Sequence, residues 1–460
     1  MRVLVLLLLS QPASAFCGFF VAGSNSKLSN NASQVALLRN GHRTVMTMSN
    51  SYQGPPENFA MVVPVPVVLH KEDVKTLPAD VFDHIDSLSA PRLVEYWEQD
   101  PCRPRVYYEM APGGLKMMKG GGGSGSGHGD LGVKVEARFA VGEYEIVILS
   151  ARDSGGLETW LHENHYTIPS GAQQALAPYI REQMKFFVAK VNIQKVHKDQ
   201  NGVVVLSPLR FGFDSDELRL PVRLGLLNAG GQQDLIVYIL HPRKRFEVAN
   251  YPNVFIPTNV EVADEVRKNF AAFYAELFDA TLAHANGKAV VTEYAWQTSS
   301  CDPCPTPPLQ ASDLAVLGAD IAVPKDQLNG YSFAGWVLTR LHTRYDKATL
   351  SEDLIFREAK PVYGGRANWN GTSADAGAQP SSDNNFQGRY IIRHYWTGPV
   401  RCEHPNYDEW GGPPDGSEPK PTAAKGLAMA PRGQIDLKKS VQSPVPTLGI
   451  AGKPPQRRAR

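Results

Sequence analysis

Read as alternating apolar and polar positions, the chain predicts strands more often than helices. Residues 35–48 are rich in strand formers and pinched by Asn40-Gly41, a strong two-residue hairpin signal. Residues 59–68 are apolar, but Pro64 and Pro66 each remove a ladder donor, which predicts an edge strand or an extended arm. Residues 133–139 and 144–149 predict a strand pair around Val141-Gly142. Further strands are expected at 185–196, 209–213, 220–226, 234–240, 289–296, 332–344 and 388–396.

Helices are fewer. Short ones are predicted over 81–88 and 91–97, and Leu157, Trp160 and Leu161 share one helical face. Ser170 with Gln173 forms a capping box ahead of Leu176 and Ile180. The longest helix is expected over 261–284, opened by a Thr258/Glu261 box and closed by Asn286-Gly287. Consecutive strands with interspersed helices predict an α+β fold, mainly antiparallel sheet with packed helices.

The ends and one interior stretch break this pattern. Arg2, an unbroken apolar run over 3–9 and Ala13-Ser14-Ala15 read as a signal peptide cut between Ala15 and Phe16. That run is far shorter than the roughly twenty residues that span a bilayer, and no later run approaches membrane-spanning length. Residues 120–132 are Gly/Ser-rich and fit either an interdomain linker or a long loop. Residues 411–460 hold nine prolines and nine Lys or Arg against three acids, which predicts a disordered basic tail. The expected organisation is therefore signal peptide 1–15, β-rich α+β region 16–119, linker or loop 120–132, main α+β region 133–410 and tail 411–460.

Composition narrows the class. Hydrophobic content of 42% supports real cores. A net charge of +1 removes the electrostatic case for nucleic acid or an anionic membrane surface. With the leader, this predicts a secreted or periplasmic globular protein.

Five cysteines, Cys17, Cys102, Cys301, Cys304 and Cys402, are all disulfide candidates in an oxidising compartment. Cys301-Asp302-Pro303-Cys304 is a CxxC with three readings. A redox-catalytic CxxC opens a helix directly after a strand, whereas Pro305, Pro307 and Pro308 block a helix start here. Cys301, Cys304, Cys402 and His404 could form a Cys₃His zinc set, against which an oxidising compartment counts. A structural disulfide, within the CxxC or from it to Cys402, is the favoured reading. An odd total leaves one thiol over. His162 and His165 have a chelating spacing without a third ligand and read as helix-end residues, while Asp83, His84 and Asp86 read as a polar helix face.

No nucleophile elbow, phosphate loop or dinucleotide fingerprint occurs, and nothing calls for a cofactor. One resemblance rests on ordered segments: Cys17-Gly18-Phe19-Phe20, then Phe59-Ala60-Met61-Val62-Val63-Pro64-Val65-Pro66, then Phe82-Asp83 ahead of Ala90-Pro91. Tyr144-Glu145-Ile146-Val147-Ile148-Leu149, Leu157-Glu158-Thr159-Trp160-Leu161, Asn164-His165-Tyr166, Phe186-Phe187-Val188-Ala189-Lys190-Val191 and Leu220-Pro221-Val222-Arg223-Leu224 follow. This order resembles the secreted bacterial family known as domain of unknown function 2330. His165 replaces the glycine usual in that pattern. The resemblance implies a bacterial envelope protein with no assigned reaction. The leading expectation is a non-catalytic binding or scaffolding protein with an envelope protein or polysaccharide as partner. The alternative is a secreted hydrolase whose site assembles only in three dimensions, and thiol-redox or zinc chemistry at the CxxC ranks below both.

Overall fold

The structure is a computed structural model that describes residues 19–22, 32–50, 59–78, 80–103, 133–164, 166, 168, 171–192, 194–198, 204–227, 231–324, 333, 335–366, 377–417, 420–423 and 432–453. The signal peptide, Cys17, the 120–132 run and His165 lie outside the described residues.

The fold is α+β, built around an eleven-stranded sheet. At its centre Val337–Tyr345 and Gln233–His241 run antiparallel, and Gln233–His241 pairs in parallel with Ala32–Asn40, Val237 beside Val35. Ala32–Asn40 turns through Gly41 into Arg43–Asn50, which pairs with Leu209–Asp214. The hairpin expected at Asn40-Gly41 closes one residue later: Asn40 pairs with Arg43, and Gly41 takes the positive φ of 58° that a tight turn needs.

A second sheet of five strands packs on one face of the first. Its order is Phe19–Ala22, Phe59–Val65, Lys185–Val191, Tyr144–Ala151 and Val133–Val141, all antiparallel. Residues 59–65 are thus an interior strand and not an edge. The described partner strand reaches only Val62, so Pro64 lies beyond it and takes no donor from that ladder. The layer between the sheets is filled by Val35, Leu37, Met46, Met61, Val63, Ile146 and Phe187. Helices Ser154–Glu163 and Ala172–Arg181 cover the outer face of the smaller sheet.

Both sheets contain strands from before and after the 120–132 run, so the two flanking regions do not form separate sheets. The segment over 220–226 is a 3-10 turn, Arg223–Leu227, and not a strand. Its entry is held because Val222 and Arg223 both donate their N–H to Asp353 Oδ1 at 3.2 Å, which removes the need for a ladder. The long helix is shorter than expected, Phe270–His284, behind a 3-10 turn Asp264–Asn269. Thr258 caps no helix: its hydroxyl donates to the Gln387 carbonyl and accepts from the Arg389 N–H. Asn286 and Gly287 do close the helix, both at positive φ.

The region read as a disordered tail is docked over 432–453. Val441, Val445 and Ile450 are buried against Phe270, Phe273 and Leu277 of the long helix. Composition hid this, because three well-spaced apolar residues suffice to seat a segment on a groove that already exists. Among the described residues no helix is long and apolar enough to cross a membrane.

Candidate functional site

The stretch predicted as a short helix over 91–97 is a strand, Arg92–Glu98, and it forms one wall of a concave site. The reason is tertiary: its β-formers pair in parallel with Arg389–His394, and pairing overrides a weak local preference. Alternation sends Leu93, Glu95 and Trp97 to one face and Arg92, Val94, Tyr96 and Glu98 to the other. The register sets Ile392 beside Glu95 and His394 beside Trp97.

The first face begins as core. Leu93, Tyr390 and Ile392 pack with Phe270, Phe273 and Tyr274 of the long helix. Beyond the helix start that face opens into a cleft of about 620 Å³ lined by Glu95, Trp97, Arg267, His394, Pro413, Pro414, Asp415, Ser417 and Lys420. The 3-10 turn ahead of the helix carries Arg267 to this rim. Glu98, buried on the opposite face, accepts the N–H of Trp396 and of Asp408 at 2.9 Å each and fixes the segment that leads into the cleft's far wall.

Three of the cleft's ionisable groups, Glu95, Arg267 and His394, are committed to one another. Arg267 grips Glu95 with two hydrogen bonds of 2.8 Å and also donates to Asp264. His394 Nε2 lies 2.8 Å from the Glu95 carboxylate, and its ring stacks on Trp97 with centroids 4.5 Å apart. Burial pushes the Glu95 carboxyl up, but the bonds from Arg267 and His394 outweigh it and hold the group below its ordinary value. The same bond to Glu95 holds Arg267 above its ordinary value. Glu95 is therefore a fixed anion, ill-suited to donate a proton.

A second polar cluster links the central sheet to the helices and the C-terminal segment packed on it. Glu293 accepts from Tyr274, Arg340 and His342, and His342 reaches Asp234 with its other nitrogen. Arg340 and Tyr238 both bond Asp86. Arg344 and Arg432 pair with Asp279, and Arg432 also with Asp234. Four carboxylates face four cations, so this cluster is balanced without a ligand.

The cysteines resolve into Cys102–Cys402 and Cys301–Cys304. The CxxC bridge is one of the two alternatives left open by the sequence; Cys402 pairs with Cys102 and not with the CxxC, because Cys102 follows strand Arg92–Glu98 and Cys402 follows its neighbour. With both sulfurs of each pair bonded, Cys301, Cys304, Cys402 and the exposed His404 do not form the Cys₃His set. His162 is exposed at a helix end. Asp86 corrects the polar-face reading, since it is buried on Arg340, while His84 bonds the Pro307 carbonyl. Sequence reasoning missed Glu95, Trp97, Arg267 and His394, which lie on three separated segments.

A family model described as an uncharacterised protein conserved in bacteria, domain of unknown function 2330, matches residues 11–357. The chain belongs to this family. Within domain of unknown function 2330, the matched stretch includes Glu95, Trp97, Arg267 and the CxxC. His394 and the 413–420 wall lie beyond it. No curated protein matches the chain. A crystal structure of baculovirus P35 is similar over 49% of this chain and 68% of its own, at 11% identity and a TM-score of 0.24. An overlap that loose supports no shared fold.

Proposed function

We propose that the chain is an exported envelope protein that binds a polysaccharide at the Glu95–Trp97–His394 cleft and carries out no hydrolysis there. The observation that carries this is the pairing of a partly buried indole, lining the cleft, with a locked carboxylate. Sugar rings present an apolar face to an aromatic plane and hydroxyls to fixed acceptors and donors, and Trp97 with Glu95, Arg267 and Lys420 offers both. A glycosidase pair needs one carboxyl raised so that it stays protonated, and Glu95 is shifted the other way. Export is supported by the leader-like residues 1–15 and by the two disulfides.

The test is retention of purified mature protein on immobilised bacterial envelope polysaccharide, with reducing ends assayed in the eluate. Wild type should be retained, and Trp97→Ala should weaken binding roughly tenfold or more with an unchanged far-UV spectrum. Equal retention of the two proteins, or no retention of either, rejects the cleft as a polysaccharide site. Release of new reducing ends rejects the non-catalytic reading.

A further inference from the structure

We propose that the Cys301–Cys304 disulfide is a thiol–disulfide exchange site, able to accept two electrons from an external thiol, because it sits in an arginine-rich field that stabilises its thiolates. Two observations carry this, one of access and one of charge. Cys304 is exposed, whereas Cys301 is half-buried against the core beside Trp296 and Leu309. An incoming thiolate thus has one sulfur to attack, and the leaving sulfur is the sheltered one.

The charge beneath the loop is unbalanced. Arg92 and Arg389 are register partners on adjacent strands, both buried on the same face. Arg92 Nη1 donates to the carbonyl of Pro303, inside the CxxC, at 2.7 Å. Arg366 bonds Asp302 at 3.3 Å. Among the described residues neither Arg92 nor Arg389 has a carboxylate within ion-pair distance, and Arg92 Nε and Arg389 Nη2 are buried without acceptors. Asp302 is the one carboxylate acting on both. Three guanidiniums against one carboxylate contrast with the four-against-four balance of the Glu293 cluster. Burial pushes Arg92 down to about 10, the sign of a cation short of anionic partners. A thiolate formed here would supply negative charge the site lacks, and a stabilised leaving thiolate makes its disulfide easier to reduce.

Hydrogen bonds other than the bridge also hold the loop. Arg92 holds Pro303, Arg366 holds Asp302, and Gln387 donates to the Asp302 carbonyl. The exchange balances as follows. An external thiolate attacks Cys304 Sγ, the Cys301–Cys304 bond breaks, and Cys301 leaves as a thiolate. A second external thiolate then attacks the sulfur bound to Cys304, releasing the external disulfide and the Cys304 thiolate. Two electrons pass from two thiols to the protein.

The full chain should be equilibrated, folded, in graded reduced and oxidised glutathione, with thiols mapped peptide by peptide after alkylation. The CxxC should open under conditions that leave Cys102–Cys402 closed, with unchanged circular dichroism. Alkylation rates of Cys301 and Cys304 against pH should place the lower thiol below its ordinary 8.5. Arg366→Gln should raise that midpoint and Asp302→Asn should lower it. Both positions are partly exposed, and the wild-type profile stands alone if either variant misfolds. Opening only together with Cys102–Cys402, a midpoint at or above 8.5, or variants that shift it in the same direction overturns the proposal.

Discussion

Glu293 has no solvent exposure, yet three donors converge on its two oxygens and keep it ionised. Burial pushes its carboxyl up, but His342 and Arg340 overcome that and bring it down to about 2. His342 answers it: burial alone would push the imidazole down, but Glu293 and Asp234 raise it above its ordinary value, with Phe278 stacked on its ring. The two shifts bound a stability window. The depressed Glu293 contributes above about 4.5, and its share is lost as pH falls towards 2. The raised His342 contributes fully below about 6.5, and its share is lost as pH rises through its higher folded value. His342→Gln should therefore cost about 3–5 kcal/mol near pH 6, since it leaves two buried carboxylates short of a partner. That deficit should shrink in alkaline solution, as read by urea unfolding at several pH values. A deficit independent of pH would mean that His342 is not charged in the native state.

At the scale of elements, the docked C-terminal segment makes a clear prediction. A chain ending at Pro431 loses Val441, Val445 and Ile450 from the core and Arg432 from Asp234 and Asp279. It should melt well below the full chain, and Ile450→Ala alone should cost about 2–4 kcal/mol by chemical unfolding. An unchanged transition would mean that the segment rests on the core without contributing to it. This element also shows the reach of sequence reading. The α+β class and the hairpin near Gly41 were legible because short-range alternation determines them. Strand Arg92–Glu98 was misread as a helix, because what makes it a strand is Arg389–His394, distant in sequence. The same distance hid the cleft, since Glu95 and His394 meet only through that pairing. Val441 and Ile450 were invisible for a further reason: proline-rich composition measures what a segment can bury alone, not what it can bury on a neighbour.

On the scale of the whole molecule, the two disulfides differ greatly in the length of chain they close. Cys102 and Cys402 are separated by 300 positions, Cys301 and Cys304 by 3. Chain-entropy arguments assign the long closure on the order of 5 kcal/mol and the short one about 2 kcal/mol. Replacing Cys102 and Cys402 with alanine should therefore destabilise the protein more than replacing Cys301 and Cys304. Parallel denaturation curves check this, and the reverse order would mean that the CxxC bridge braces its loop after all.

The parallel union of Ala32–Asn40 with Gln233–His241 has a consequence in time. Val35 must wait for Val237 to be made before the centre of the main sheet can close. At bacterial translation rates of roughly 5–20 residues per second, that wait is about 10–40 s. Strand Arg92–Glu98 waits longer still for Arg389–His394. Throughout that interval the early strands carry open hydrogen-bonding edges and apolar faces with nothing to cover them. A nascent chain of this design lacks its central pairing until Gln233–His241 is made, and until then its early strands are exposed to association with their own kind.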